Sequence, residues 1–312
     1  MAHRNSERTT LGDLIALGER EFEAAGIAFG QGTLNAWDEA RWLTLATLNL
    51  FVASPKTIEA QPVSDREIEK VKAIFHRRIR DRLPAAYITG TAWLKGYSFR
   101  VDPRVIIPRS FIAELLMNGF SPWISGRNKV LDILDLCTGS GCLAIIAADQ
   151  FKNAKIIATD ISNDALSVAQ SNIDDHRKRS RVRLIQSDVF DAFKSIAKLP
   201  QFDLIISNPP YVPSAKHDSL PAEFHHEPTL ALFAEDSGVA IVRQILAQAA
   251  GHLKTDGVLA IEIGHEKKSV EKLLAREFSS LKPHWVRTAE QFDNVLVVSR
   301  HTLVKHPWRP TQ

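Results

Sequence analysis

The chain has 312 residues, 45% of them hydrophobic, with a formal net charge of +3. That is enough apolar material for two domains, and too mild a charge to argue alone for a nucleic-acid partner. No apolar run approaches the roughly 20 residues of a membrane helix, the start lacks a secretory signal's apolar core, and the two cysteines, Cys137 and Cys142, have neither zinc nor disulfide spacing. A reduced, cytoplasmic protein without membrane or metal is expected.

Residues 1–90 read as a small helical domain. "LGDLIALGEREFEAAGI" sets Leu11, Leu14, Ile15, Phe22 and Ala25 at helical spacing, and "WDEARWLTLATLNL" is a second candidate helix. "SDREIEKVKAIFHRRIRDRLP" opens on a capping box, Ser64 with Glu67, carries the stripe Ile68, Val71, Ile74, Phe75 and Ile79, and stops at Pro84. Residues 91–107 alternate apolar and polar around a glycine and a proline, as a β-hairpin linker would, and a helix over "RSFIAELLMNGF" follows. From residue 130, strands alternate with helices: "VLDILDL", "KIIAT", "RVRLIQ", "FDLIIS", "GVLAIEI" and "NVLVVS", with helices near 141–151, 163–175, 237–253 and 266–278. This pattern predicts an α/β fold, a parallel sheet covered on both faces, over residues 108–302. Residues 303–312 read as a loose tail.

The loop "DLCTGSGCLA" closes the first strand and opens a helix, so small residues and free N–H groups can approach a ligand. Gly139, Gly141 and Ala144 satisfy a dinucleotide pattern, and Asp160 stands where a ribose-binding acid is expected. A nicotinamide site and other nucleoside sites fit these features equally. Two more acids decide between them. Asp135 lies on the strand before the loop, where a carboxylate repels a pyrophosphate but accepts from a cationic amino-acid moiety. Asp188 ends the third strand, within reach of an adenine amino group. Carboxylates at 135, 160 and 188 suit a ligand with an ammonium, a ribose and an adenine but no phosphate: S-adenosylmethionine.

The fourth strand ends in "SNPPY". Two prolines stiffen this turn and present Asn208 in the same crevice. A conjugated nitrogen is a poor nucleophile and must be held in line, its hydrogens bound by the Asn208 side-chain oxygen and the Pro209 carbonyl, with Tyr211 packed on the flat group. This is catalysis by positioning.

"DLCTGSG", the acids at 160 and 188 and "NPPYV" together resemble class I methyltransferases acting on planar nitrogen, a signature that adenine-specific DNA methyltransferases share. The rest of the chain resembles the glutamine N5-methyltransferases of translation proteins: a helical domain first, then a hairpin, then "VIIPRSFIAEL" at 105–115, "HEPTLALFAEDSG" at 226–238 and "EIG" at 262–264. "IPRS" and Cys137, in place of "IPRP" and a glycine, resemble the branch that modifies the third protein of the large ribosomal subunit rather than the release-factor branch. The resemblance implies a doubly wound, Rossmann-like methyltransferase sheet behind a substrate-recognition domain. It implies Asp135, Cys137, Thr138, Gly139 and Gly141 at the methionine end of the cofactor, Asp160 and Ile161 at the ribose, Asp188 and Val189 at the adenine, Asn208 also in contact with the cofactor, and Asn208, Pro209, Pro210 and Tyr211 on the glutamine amide. Cys137 is expected at negative φ, contributing only backbone. The remaining alternatives are the release-factor reaction, an adenine-specific nucleic-acid methyltransferase, a non-catalytic RNA-binding or assembly factor and, weakest, a nicotinamide oxidoreductase.

Other features admit two readings each. The basic clusters "HRRIRDR" at 76–82 and "HRKRSRVR" at 176–183 are solvated faces or contacts to ribosomal RNA. The segment 214–238, with Glu223 and Glu227, is a polar loop or an acidic surface for a basic ribosomal protein. His225 and His226 lack partners at zinc spacing.

Overall fold

The structure, a computed structural model, describes residues 8–50, 58–196, 199–278, 281–287 and 292–310. The chain divides into two compact units, Met1–Ala92 with Pro221–His226, and Trp93–Leu220 with Glu227–Gln312.

The first unit is built on helices α1 (Leu11–Ala24), α2 (Ala36–Thr47), α3 (Asp65–Asp81) and the short α4 (Ala85–Thr89). The capping box at α3 forms as expected: the Glu67 N–H donates to Ser64 Oγ, and the Ser64 N–H donates back to Glu67 at 2.8 Å. Thr10 and Asp13 cap α1 in the same way. The apolar stripes meet in a core that includes Leu14, Ile15, Phe22, Leu43, Val71 and Phe75, with the Phe22 and Phe75 rings edge to face.

The cluster at 76–82 is largely spent inside this unit. Arg78 is buried and bonds Glu39 at 2.5 Å and Glu223 at 3.4 Å. Arg82 bonds Glu223 at 3.2 Å and the carbonyls of Ala25 and Gly26, and Arg77 and Arg80 pair with Asp81. Glu223 is therefore no surface acid. Burial works to raise its pKa, but backbone N–H groups, that of Ala28 among them, and the two arginines hold it below the usual value.

Strands β1 (Thr91–Leu94) and β2 (Tyr97–Arg100) form a two-stranded sheet, and α5 (Ile112–Met117) of the second unit follows. The main sheet contains β3 (Asp132–Leu136), β4 (Lys155–Asp160), β5 (Val182–Gln186), β6 (Phe202–Ser207), β9 (Leu253–Glu262), β10 (His284–Arg287) and β11 (Asp293–Ser299), in the order β10-β11-β9-β6-β3-β4-β5. Strands β9, β6, β3, β4 and β5 are parallel, while β11 runs antiparallel to β9 and β10. The small pair β7 (Val212–Pro213) and β8 (Phe233–Ala234) lies outside the main sheet. The unit also holds helices α6 (Cys142–Gln150), α7 (Asn163–Asp175), α8 (Ala240–His252), α9 (Lys267–Glu277) and α10 (Arg300–Lys305), besides shorter helical turns.

Neighbouring residues on a strand enter opposite cores. Ile133 and Leu204 pack with Leu143 and Ile145 on one face, and Leu134 and Ile205 with Leu246 and Val270 on the other. Burial on both faces makes the strands read as continuous apolar runs. The chain winds outward in opposite directions from the neighbours β3 and β6, so their carboxyl ends flank a topological switch point, where open sheets bind ligands.

The tail differs from expectation. The Ser299 hydroxyl caps α10, Leu303 is buried, and the Trp308 indole N–H and the Arg309 N–H bond Glu277 at 3.0 and 2.8 Å. Among the described residues it starts on a short helix and is bonded back to Glu277, although most of its side chains stay exposed.

Candidate active site at the carboxyl ends of the parallel strands

The loop after β3 turns through left-handed backbone at alternate positions: Cys137 (φ 57), Gly139 (φ 56) and Gly141 (φ 79). The negative φ expected at Cys137 is thus corrected. The loop takes the left-handed turn there although the residue carries a Cβ, at a cost of about 1–2 kcal/mol, while the next N–H, of Thr138, bonds the Thr159 carbonyl at 2.9 Å. Burial pushes the Cys137 thiol up, and the nearby Asp160 charge adds to it, so the sulfur stays protonated. A Cβ on Gly139 would meet only Ile106 Cγ2, at 3.8 Å, leaving the loop open toward the cavity. Gly141 N-caps α6.

Asp135 is fully buried on β3. Its Oδ2 accepts from the Thr138 hydroxyl at 2.6 Å, and its Oδ1 is buried without a hydrogen-bond partner among the described residues. Burial pushes this carboxyl up to about 7, with the Thr138 hydroxyl acting against the shift. Asp160, at the end of β4, braces the loop: it accepts from the N–H groups of Gly139 and Ser162, each at 2.9 Å. Burial raises its pKa against those bonds. Each oxygen keeps a lone pair for a further donor. Asp188 is exposed and makes no side-chain hydrogen bond among the described residues. Val189 follows it at φ 44, a strained conformation for a β-branched residue and of the kind found where a ligand is gripped.

These residues border an open cavity of about 860 Å³, counting the solvent at its mouth. Cys137, Gly139, Asp160, Ile161, Asp188, Val189, Asn208 and Pro210 line it. Asp135, Thr138, Gly141, Pro209 and Tyr211 are not part of the lining. Further lining comes from segments the sequence does not mark as cofactor-binding: Arg104, Val105 and Ile106 from one, Pro228, Leu230 and Ala231 from the other. Glu227 latches the two segments together. It is buried, accepts from the Ile107 N–H at 2.9 Å, and takes both arms of Arg109, at 2.6 and 2.8 Å. Of the two readings of 214–238, the acidic substrate surface fails at its centre, since Glu223 and Glu227 are both buried ion-pair members. Their partners lie more than a hundred residues away in sequence, which is why the charges read as surface. Ser110 of the same "PRS" segment donates to buried Glu262 at 2.5 Å, and the Phe111 N–H joins it at 2.9 Å.

Asn208 leaves β6 beside β3, where the Ser207 hydroxyl ties the two strands through the Leu136 carbonyl at 3.0 Å. Tyr211 is held by two glycines in left-handed backbone. A Cβ on Gly264 would stand 2.4 Å from Tyr211 Cε2, and one on Gly238 would stand 2.2 Å from the Tyr211 carbonyl oxygen. The stretches "EIG" and "HEPTLALFAEDSG" are visible in the sequence, but their contact with Tyr211 is not.

The cavity fits S-adenosylmethionine better than a phosphate-bearing nucleotide. It is lined by two carboxylates, and its one cationic side chain, Arg104, is already paired with Asp102 at 2.6 Å. Among the described residues no group of three His, Cys, Asp or Glu could hold a metal ion, and no helix is long and apolar enough to cross a membrane. The second basic cluster is also largely committed: Lys178 pairs with Asp149, Arg179 with Asp174, and Arg181 binds the carbonyls of Ala148, Phe151 and Lys152.

Comparison with known proteins agrees with this geometry. The family model "Methyltransferase small domain" matches residues 113–234. A protein of Bordetella pertussis named ribosomal protein uL3 glutamine methyltransferase is 44% identical over 96% of this chain and 98% of its own length. Proteins of the same name from Burkholderia pseudomallei and Francisella tularensis are 42% and 39% identical, over 93% and 95% of this chain and 94% and 92% of their own.

Proposed function

The chain belongs to the ribosomal protein uL3 glutamine methyltransferases, and from that premise we propose that it methylates the side-chain amide nitrogen of a glutamine in ribosomal protein uL3, in the cytoplasm. The observation that carries the reading is that Asn208, on a turn stiffened by two prolines, lines the same cavity as Gly139, Asp160 and Asp188. When bound, S-adenosylmethionine supplies an electrophilic methyl group on a sulfonium and leaves as S-adenosylhomocysteine.

The residues divide the task. Asp135 neutralises the amino group of the methionine end, near Cys137, Thr138, Gly139 and Gly141. Asp160 takes the ribose hydroxyls beside Ile161, and Asp188 takes the adenine amino group beside Val189. Asn208 Oδ1 and the Pro209 carbonyl accept the two hydrogens of the glutamine amide and aim its nitrogen at the methyl group, Pro210 fixes the turn, and Tyr211 covers the flat amide. No strong base is required, because the nitrogen becomes acidic only as it is methylated, and the proton leaves to solvent. The hydrogen bonds fix a near-attack geometry, which supplies much of the barrier reduction.

The helical unit is the substrate-recognition module in this reading. Any contact with ribosomal RNA draws on charges left over from in-chain pairing, such as exposed Arg177 and Arg183. The test is transfer from labelled S-adenosylmethionine to purified uL3, with a release factor as the competing substrate and Asn208→Ala as control.

A further inference from the structure

The proposed reaction depends on how firmly the Asn208–Tyr211 turn is held, and part of that hold originates far along the chain. Gly238, pressed on the Tyr211 carbonyl and 3.3 Å from Pro213 Cδ by the measure of an added Cβ, ends a run of three left-handed residues, Asp236 (φ 52), Ser237 (φ 57) and Gly238 (φ 85). L-residues avoid this conformation, and two of the three carry a Cβ, so the surroundings must impose it. Arg243 on α8 contacts the first of them. Its guanidinium binds the Asp236 carboxylate, and its Nε lies 2.9 Å from Glu277 Oε2. Glu277 is buried at the end of α9 and is itself anchored, by Arg276 at 2.5 Å and by the Trp308 indole N–H at 3.0 Å. Upstream, Phe233 and Ala234 pair with Val212 and Pro213, so the strained turn is tied to the residues after Tyr211 from both ends.

We propose that Arg243 is a positioning residue for the methyl transfer. By bridging Asp236 to the anchored Glu277 it imposes the left-handed turn 236–238, which through Gly238 sets the Tyr211 backbone and the angle at which Asn208 and Pro209 hold the substrate amide. This rests on the reading of Asn208–Tyr211 as the amide-holding turn. Without Arg243 only Arg276, 2.5 Å from Glu277 and 3.9 Å from Asp236, is left between the two carboxylates, its longer reach to Asp236 no longer holds the turn, and the Tyr211 carbonyl loses the surface it leans on.

The experiment uses the full chain and compares wild type with Arg243→Gln, Arg243→Lys and Asp236→Asn. It measures kcat and KM for uL3, the Kd for S-adenosylmethionine, and amide exchange across residues 206–216. Arg243→Gln lowers kcat at least tenfold, leaves the cofactor Kd within twofold and speeds exchange in the 206–216 segment. Arg243→Lys recovers at least threefold of the lost kcat. Asp236→Asn, at a half-exposed carboxylate, folds and gives a smaller loss of the same kind, and so carries the test if Arg243→Gln does not fold. Wild-type kcat and exchange in Arg243→Gln or Asp236→Asn overturn the proposal, as does a kcat loss matched by a loss of cofactor affinity. A wild-type protein that methylates no glutamine overturns the functional reading instead, and the exchange rates still decide whether Arg243 holds the turn.

Discussion

Glu227→Gln tests the construction of the cavity wall. The wild-type carboxylate is wholly buried and its partner Arg109 is 21% exposed, and together they join segment 104–107 to segment 228–231. The amide keeps one acceptor for the Ile107 N–H but turns an NH₂ toward the guanidinium. Removing one partner of a buried pair costs about 3–5 kcal/mol. Arg109 can turn partly to water, so the expected loss is about 2 kcal/mol, or a Tm lower by roughly 4–8 °C. If about 1.4 kcal/mol of this falls on closing the wall around the cofactor, the Kd for S-adenosylmethionine rises about tenfold. Thermal unfolding and calorimetric titration of the full chain read the two effects separately. A lower Tm with a Kd within twofold of wild type would show that the pair merely stabilises the fold and that the wall needs no latch.

Three further substitutions probe other links. Glu262 is held near pKa 7 by burial, against the bonds from Ser110 and Phe111. The folded state therefore keeps a proton that the unfolded chain releases, and this stability, present at low pH, is lost as pH rises toward about 7. Glu262→Gln keeps the neutral form, so between pH 5 and 8 its stability should gain on wild type by up to about 3 kcal/mol; parallel curves in denaturant titrations would refute the assignment. Asp135, also raised to about 7 by burial, should bind the cofactor's ammonium more tightly as pH rises from 6 to 8, and Asp135→Asn should flatten that dependence while weakening affinity. Gly264→Ala drives a Cβ into the Tyr211 ring and should reduce methyl transfer at least tenfold with cofactor Kd unchanged; undiminished transfer would mean that the ring position is irrelevant.

The strands of the sheet were legible because burial on both faces gives dense apolar runs, and β6 coincides with "FDLIIS". Edge strand β10, His284–Arg287, has no fully buried residue, so its sequence carries no such signal. Helix α10 has no comparable signal because its one buried side chain, Leu303, sits among polar neighbours. At the site, the glycine loop and Asn208 announce themselves through local backbone chemistry. Gly238, Gly264, Arg109 and Glu227 do not, because each is required only by a residue distant in sequence. Cys137 departs from the expected negative φ because the loop overrides the steric preference of a residue with a Cβ.

The most direct measurement is site-mapped methyl transfer: wild type and Asn208→Ala incubated with S-adenosylmethionine and purified uL3, with the product peptides read by mass spectrometry. Wild type is expected to place one methyl group on a glutamine side chain of uL3, and Asn208→Ala, whose cofactor binding persists, to transfer at least a thousandfold more slowly. Methylation of a release factor but not uL3, or an Asn208→Ala protein as active as wild type, would contradict the proposed function.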